Sequence, residues 1–213
     1  MFCPSCQQAV AEASEVCPAC QFSLARADAV FGSQGLVKEG VHDASRLLTR
    51  GQRRRLEERL GAFQARFPEI SPSLLLEVCP ANAARHARPY LFWLFNRGNL
   101  CGPMERGGKN QRFILWLDPE SGALRLMLGY GLEPWLPEEE LRAALQAGER
   151  AAAEGRWDGA FSAVLDELDE VFSRSALALP QMLGLVPELR WTDIVDPDVE
   201  ALLTVPKRPG LVF

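Results

Sequence analysis

Phe113-Ile114-Leu115-Trp116-Leu117-Asp118-Pro119-Glu120-Ser121-Gly122-Ala123-Leu124-Arg125-Leu126-Met127-Leu128 is the stretch that decides the fold. Five consecutive large apolar residues, 113–117, read as a strand buried on both faces. Asp-Pro-Glu-Ser-Gly is a turn sequence, and residues 123–128 follow as a second strand. The short connection makes the two strands antiparallel neighbours. Upstream, residues 73–79 (Ser-Leu-Leu-Leu-Glu-Val-Cys) read as another short buried strand.

Helices alternate with these strands. Thr49 is a candidate N-cap, and Leu56, Leu60, Phe63 and Phe67 recur on one helical face until Pro68 ends the helix. The opposite face interleaves Arg53–Arg55 with Glu57 and Glu58, a solvated pattern rather than a basic patch. Arg88–Arg97 carries Tyr90, Leu91, Phe92, Trp93, Leu94 and Phe95, a helix pressed into the core. Pro137-Glu138-Glu139-Glu140 opens a further helix, with the acids facing its dipole. After Trp157-Asp158-Gly159 the last helix repeats Phe161, Val164, Leu165, Leu168, Val171 and Phe172. Its acids, Asp166, Glu167, Asp169 and Glu170, read as a solvated face. Strands separated by helices predict an α/β fold: a three-layer α/β/α sandwich with a small mixed sheet over residues 41–175.

The segments outside it read differently. Cys3-Pro4-Ser5-Cys6 and Cys17-Pro18-Ala19-Cys20 are paired C-x2-C turns ten residues apart. Four thiolates at this spacing are the ligand set of a structural zinc ion, so residues 1–25 read as a zinc ribbon held by Cys3, Cys6, Cys17 and Cys20. Residues 26–40, with their glycines, read as a linker. Residues 176–213 hold five of the fifteen prolines among scattered apolar residues, which predicts an extended C-terminal arm packed on its own domain or on a partner. Cys79 reads as a buried strand residue, Cys101 as a bystander, and His42 and His86 as surface residues.

Composition bounds the function. The 213 residues are 47% hydrophobic and carry a formal net charge of −5. Residues 1–25 contain Glu12 and Glu15 but no Lys or Arg, so a zinc-loaded ribbon would carry a charge of about −4. Phosphate contacts need cations, which argues against nucleic acid and for a protein partner engaged through the ribbon or the arm. No apolar run approaches the roughly 18 residues of a membrane span. With neither a basic n-region nor an apolar h-region at Met1-Phe2-Cys3-Pro4, a cytoplasmic location is expected.

Three short blocks resemble the TPM domain family, which includes thylakoid-lumen proteins of photosystem repair and many bacterial proteins. His42-Asp43-Ala44-Ser45-Arg46-Leu47-Leu48-Thr49 is similar to the family's opening before its first helix. Gly129-Tyr130-Gly131-Leu132-Glu133, followed by Leu136-Pro137-Glu138, is similar to its most recognisable block. Gly155-Arg156-Trp157-Asp158-Gly159-Ala160 resembles the segment before its last helix. The resemblance covers about residues 40–175 and implies the same α/β/α sandwich.

It also implies either divalent-cation binding with phosphatase-like activity, or a role as an accessory or assembly factor. The acidic positions of the family retain Asp43 and Glu133 here. Asn110 replaces one acid with a single oxygen ligand, and Met127 replaces another with none suitable for Ca2+ or Mg2+. A ligand or second-metal site would therefore comprise Asp43, Asn110, Gly129, Tyr130, Gly131 and Glu133. Glycines 129 and 131 would permit positive φ and close approach. A plain strand-to-helix turn with Tyr130 packed beneath it is the stronger reading of the same glycines. Two readings follow: a cytosolic accessory or adaptor protein with a structural zinc ribbon, and a divalent-metal-dependent phosphatase-like hydrolase.

Overall fold

A computed structural model describes residues 2–11, 13–32, 39–79, 87–97 and 108–182. The chain divides into two compact units, Met1–Phe172 and Ser173–Phe213. The elements in order are α1 (Leu24–Phe31), β1 (Gly40–Asp43), α2 (Arg50–Arg66), β2 (Ser71–Leu76), α3 (Ala87–Arg97), β3 (Arg112–Leu117), β4 (Leu124–Leu128), α4 (Glu138–Ala153) and α5 (Trp157–Met182). Cys101, His86 and, beyond Met182, the C-terminal arm lie outside the described residues.

The four strands form one mixed sheet in the order β1-β2-β3-β4. β1, β2 and β3 are parallel, and β4 runs antiparallel to β3, as the turn sequence predicts. Asp118 builds that turn: its carboxylate accepts the Glu120 N–H and the Ser121 hydroxyl, while Gly122 supplies φ 68°. Every residue of β2 and β3 is buried, because helices cover both faces. Leu74, Leu76, Phe113, Leu115 and Leu117 pack on one face against α2, α4 and α5; Leu75, Ile114 and Trp116 pack on the other against α1 and α3. The α/β/α sandwich is thus formed.

Local signals placed α2 well. Thr49 and Gln52 form a capping box, with Leu56, Leu60 and Phe63 buried on the inner face. Elsewhere tertiary contacts shift the expected boundaries. β2 spans Ser71–Leu76 rather than 73–79, because β3, its partner, ends at the Asp118 turn; Cys79 is buried but beyond the strand. Residues 24–31, read as the end of the ribbon and the start of the linker, are helical. Ser23 caps α1, Phe31 meets Tyr90 and Trp93 at 5.3 and 5.5 Å, and Asp28 accepts from Trp93 and Arg97. Eight residues with one buried position leave too little periodicity to read from sequence. α5 starts at Trp157, so Asp158 and Gly159 lie in its first turn, and it continues to Met182 through the expected arm boundary. Asp166 and Asp169 are not simply solvated: they pair with Arg59 and Arg66 of α2.

Candidate metal centre and the turn after the fourth strand

The first twenty-two residues contain the same local fold twice. Cys-Pro-Ser-Cys-Gln at 3–7 and Cys-Pro-Ala-Cys-Gln at 17–21 each end in a Gln with positive φ, 62° at Gln7 and 61° at Gln21. Each Gln N–H donates to the carbonyl of the first Cys in its turn, 3.0 Å for Gln7 to Cys3 and 2.8 Å for Gln21 to Cys17. The N–H groups of Cys3 and Cys17 donate in turn to the carbonyls of Gln8 and Phe22, both at 2.9 Å. Each knuckle therefore closes on itself and aims two sulfurs inward. Left-handed backbone ordinarily favours Gly, Asn or Asp, so a Gln at each of these positions gives no sequence signal for the closure, which the hydrogen bonds within each turn impose.

The four sulfurs lie within 4.8 Å of one another, with Cys3–Cys20 and Cys6–Cys17 both at 3.7 Å. That separation is far beyond a disulfide. It matches the edge of a tetrahedron whose centre lies about 2.3 Å from each sulfur, the zinc–thiolate length. The cysteines are free, and the cluster could hold a metal ion such as zinc. Backbone N–H groups already favour thiolate: the Phe22 N–H leads in drawing Cys20 down to about 7. At Cys6 the Gln8 N–H acts in the same direction, but burial and the three neighbouring thiols outweigh it and push the thiol up to about 12. Four thiolates in one place need a cation among them. Among the described residues no other cluster of three or more His, Cys, Asp or Glu side chains has metal-binding geometry.

The remaining predicted site residues divide between two ends of the sheet. Asp43 ends β1, level with Leu76 and Leu117 in the parallel register and with Leu124 across the hairpin. Its carboxylate accepts the N–H groups of Leu47 and Leu48 at 3.1 and 2.9 Å and lies 3.7 Å from Arg53. It organises the entry to α2. Asn110, Gly129, Tyr130, Gly131 and Glu133 meet at the opposite end, where β4 finishes beside the start of β3. Five residues along the sheet and three strands across it separate Asp43 from this turn by roughly 20 Å. Two carboxylates that share a hard cation each approach it to about 2.5 Å, so Asp43 and Glu133 do not share one.

The turn itself differs from expectation. Neither Gly129 nor Gly131 has positive φ. Gly131 serves close approach: its N–H donates to the Asn110 carbonyl at 3.0 Å, and a Cβ there would lie 2.8 Å from that oxygen. Tyr130 is not packed beneath the turn; it is 56% exposed. Burial raises the Glu133 carboxyl above its ordinary range. The ribbon lies against the same region. Phe22 meets Phe92 of α3 edge-on at 6.0 Å, and a cavity of about 210 Å³ is lined by Cys3, Phe22, Phe92 and Tyr130.

Fold and site together define an α/β sandwich domain carrying a four-cysteine knuckle. The chain is similar in structure to the N-terminal domain of a protein from P. gingivalis, solved by NMR, with 20% identity over 63% of this chain and 82% of that one, at a TM-score of 0.48. It is also similar to the N-terminal domain of the cg2496 protein from Corynebacterium glutamicum, with 15% identity over 62% and 78% of the two chains, at a TM-score of 0.44. No protein-family model and no curated protein matches the chain.

Proposed function

We propose that this chain is a cytosolic accessory or adaptor protein in which a TPM-like sandwich carries a ribbon stabilised by one zinc ion, and that it works by binding protein. The observation that carries this reading is the sulfur cluster with its 3.7 Å edges, set beside exposed aromatic groups. Cys3, Cys6, Cys17 and Cys20 would fill all four positions of a tetrahedral ion, which leaves none open for substrate or water. Such a closed site stabilises a fold that is too small to supply its own core. The hydrolase alternative needs the carboxylates around Gly129-Tyr130-Gly131 to act with Asp43, and their separation argues against it.

Elemental analysis of the purified full chain should find about one zinc per molecule, and Cys17→Ser should release it. A folded ribbon without metal would refute the zinc assignment. For the adaptor role, affinity capture with the intact chain is compared with capture by chains lacking 1–25 or 176–213. At least one deletion should lose a partner. If neither does, or if metal-dependent turnover of an aryl phosphate disappears in Glu133→Gln, the reading fails.

A further inference from the structure

β4 closes one side of the sheet, and among the described residues no strand pairs with its outer edge. The hairpin fixes which backbone groups face outward. The Asp118 N–H donates to the Ala123 carbonyl, and the Gly129 N–H donates to the Arg112 carbonyl. Antiparallel bonding alternates, so residues 123, 125, 127 and 129 turn their backbone to β3, and Leu124, Leu126 and Leu128 turn theirs outward. One outward group is already served: the Arg125 guanidinium donates to the Leu124 carbonyl at 2.6 Å. Leu126, whose N–H and C=O this alternation turns outward, lines a groove of about 470 Å³.

The two walls of the groove differ. Phe92 and Arg88 of α3 line one wall, and Leu145 of α4 lines the other. Alternation along β4 puts Arg125 on the α3 side with Met127, which packs on the α3 cluster, whereas Leu126 packs on the α4 side. Phe2, 71% exposed, and Tyr130, 56% exposed, line the same groove. Arg88 is exposed and forms no ion pair with any described residue. Among the described residues that line the groove, two guanidinium groups therefore stand against one carboxylate, Glu133, in a molecule that is acidic as a whole. Protected edge strands ordinarily carry a covering element or a charge; among the described residues no strand covers this one, and beside its Arg125 runs a largely apolar groove.

We propose that the outer edge of β4 takes an extended peptide segment of a protein partner as an added strand. Its acidic side chains would alternate toward Arg88 and Arg125, and its apolar side chains toward Leu145. Main-chain bonds to Leu126 and Leu128 supply the affinity, and the arginines select the charge. The inference rests on the adaptor reading and gives it a surface and a partner chemistry.

The probe is the capped peptide Glu-Val-Glu-Val-Glu-Val-Glu, added to the zinc-loaded full chain. In the free chain the amide protons of Leu126 and Leu128 should exchange faster than those of Arg125 and Met127. Peptide should slow them by about tenfold or more, because only bonded amides are protected. The double variant Arg88→Ala/Arg125→Ala should weaken binding by about fivefold or more, since two charge-assisted contacts go. The Lys-Val counterpart should bind more weakly than the Glu-Val peptide.

Slow exchange at Leu126 in the free chain would mean that the edge is already covered, by this chain or by a second copy, and overturns the proposal. Absence of binding at about 1 mM peptide, or protection located elsewhere, also overturns it. If the peptide fails while a deletion loses a captured partner, the adaptor reading stands and the edge assignment falls. If the peptide protects Leu126 and neither deletion loses a partner, the edge assignment stands and the adaptor reading, which docks through the ribbon or the arm, falls.

Discussion

Gly148 shows how little a residue's type reveals of its duty. It lies in the middle of α4, where Ala is ordinarily favoured by about 1 kcal/mol. A Cβ there would stand 2.7 Å from Val164 Cγ2, 2.8 Å from the Ala160 carbonyl and 2.8 Å from Leu124 Cδ1. The carbonyl belongs to α5 and cannot rotate away. Overpacking of this kind costs about 1–3 kcal/mol, which exceeds the propensity gain. Gly148→Ala should therefore destabilise the chain, as measured by urea denaturation; a more stable variant would show that α4 can move off α5. In the ribbon the residue scale works the other way. The twin Cys-Pro-x-Cys runs state the ligands, because each turn that aims two sulfurs inward is made within a few residues, whereas the left-handed closure at Gln7 and Gln21 is seen only in the structure.

Between elements, α2 and α5 are joined by charges that the sequence showed only as polar faces. Gln52 and Arg55 both donate to Asp158, at 2.9 and 2.6 Å, in the first turn of α5. Burial raises the Asp158 carboxyl, but the Arg55 and Gln52 contacts outweigh it, so its folded-state pKa is lowered. A carboxyl lowered in the folded state contributes stability that is fully present above its unfolded value of about 3.9 and is lost as pH falls through the folded value. Asp158→Asn should cost about 0.5–1 kcal/mol at pH 7, Arg55 being well exposed. The difference from the parent should shrink as pH drops below about 4 in denaturation measured across pH. A pH-independent difference would assign the loss to packing. Helical period identified the buried faces of α2 and α5. It could not pair Arg55 with Asp158, because that contact spans 103 residues of chain.

For the molecule as a whole, the two cores flanking the sheet draw on residues 2–25 chiefly through Phe22, which packs at the margin of the α3 cluster. Removal of residues 1–20 should therefore leave a sandwich that unfolds in one cooperative transition. Loss of that transition in calorimetry would mean that the ribbon is part of the core. By itself the sequence determined the layers and the candidate metal ligands, for a physical reason: apolar period, turn chemistry and cysteine spacing act within a few residues. Helix α1 escaped it, since its stability comes from Phe31 and Asp28 meeting a helix some sixty residues away. Only the tertiary structure decided which predicted site residues meet. Reversal of β4 against β3 carries Gly129-Tyr130-Gly131 to the end of the sheet remote from Asp43. Among the described residues the same reversal leaves β4 at the border of the sheet, with Leu126 lining a groove.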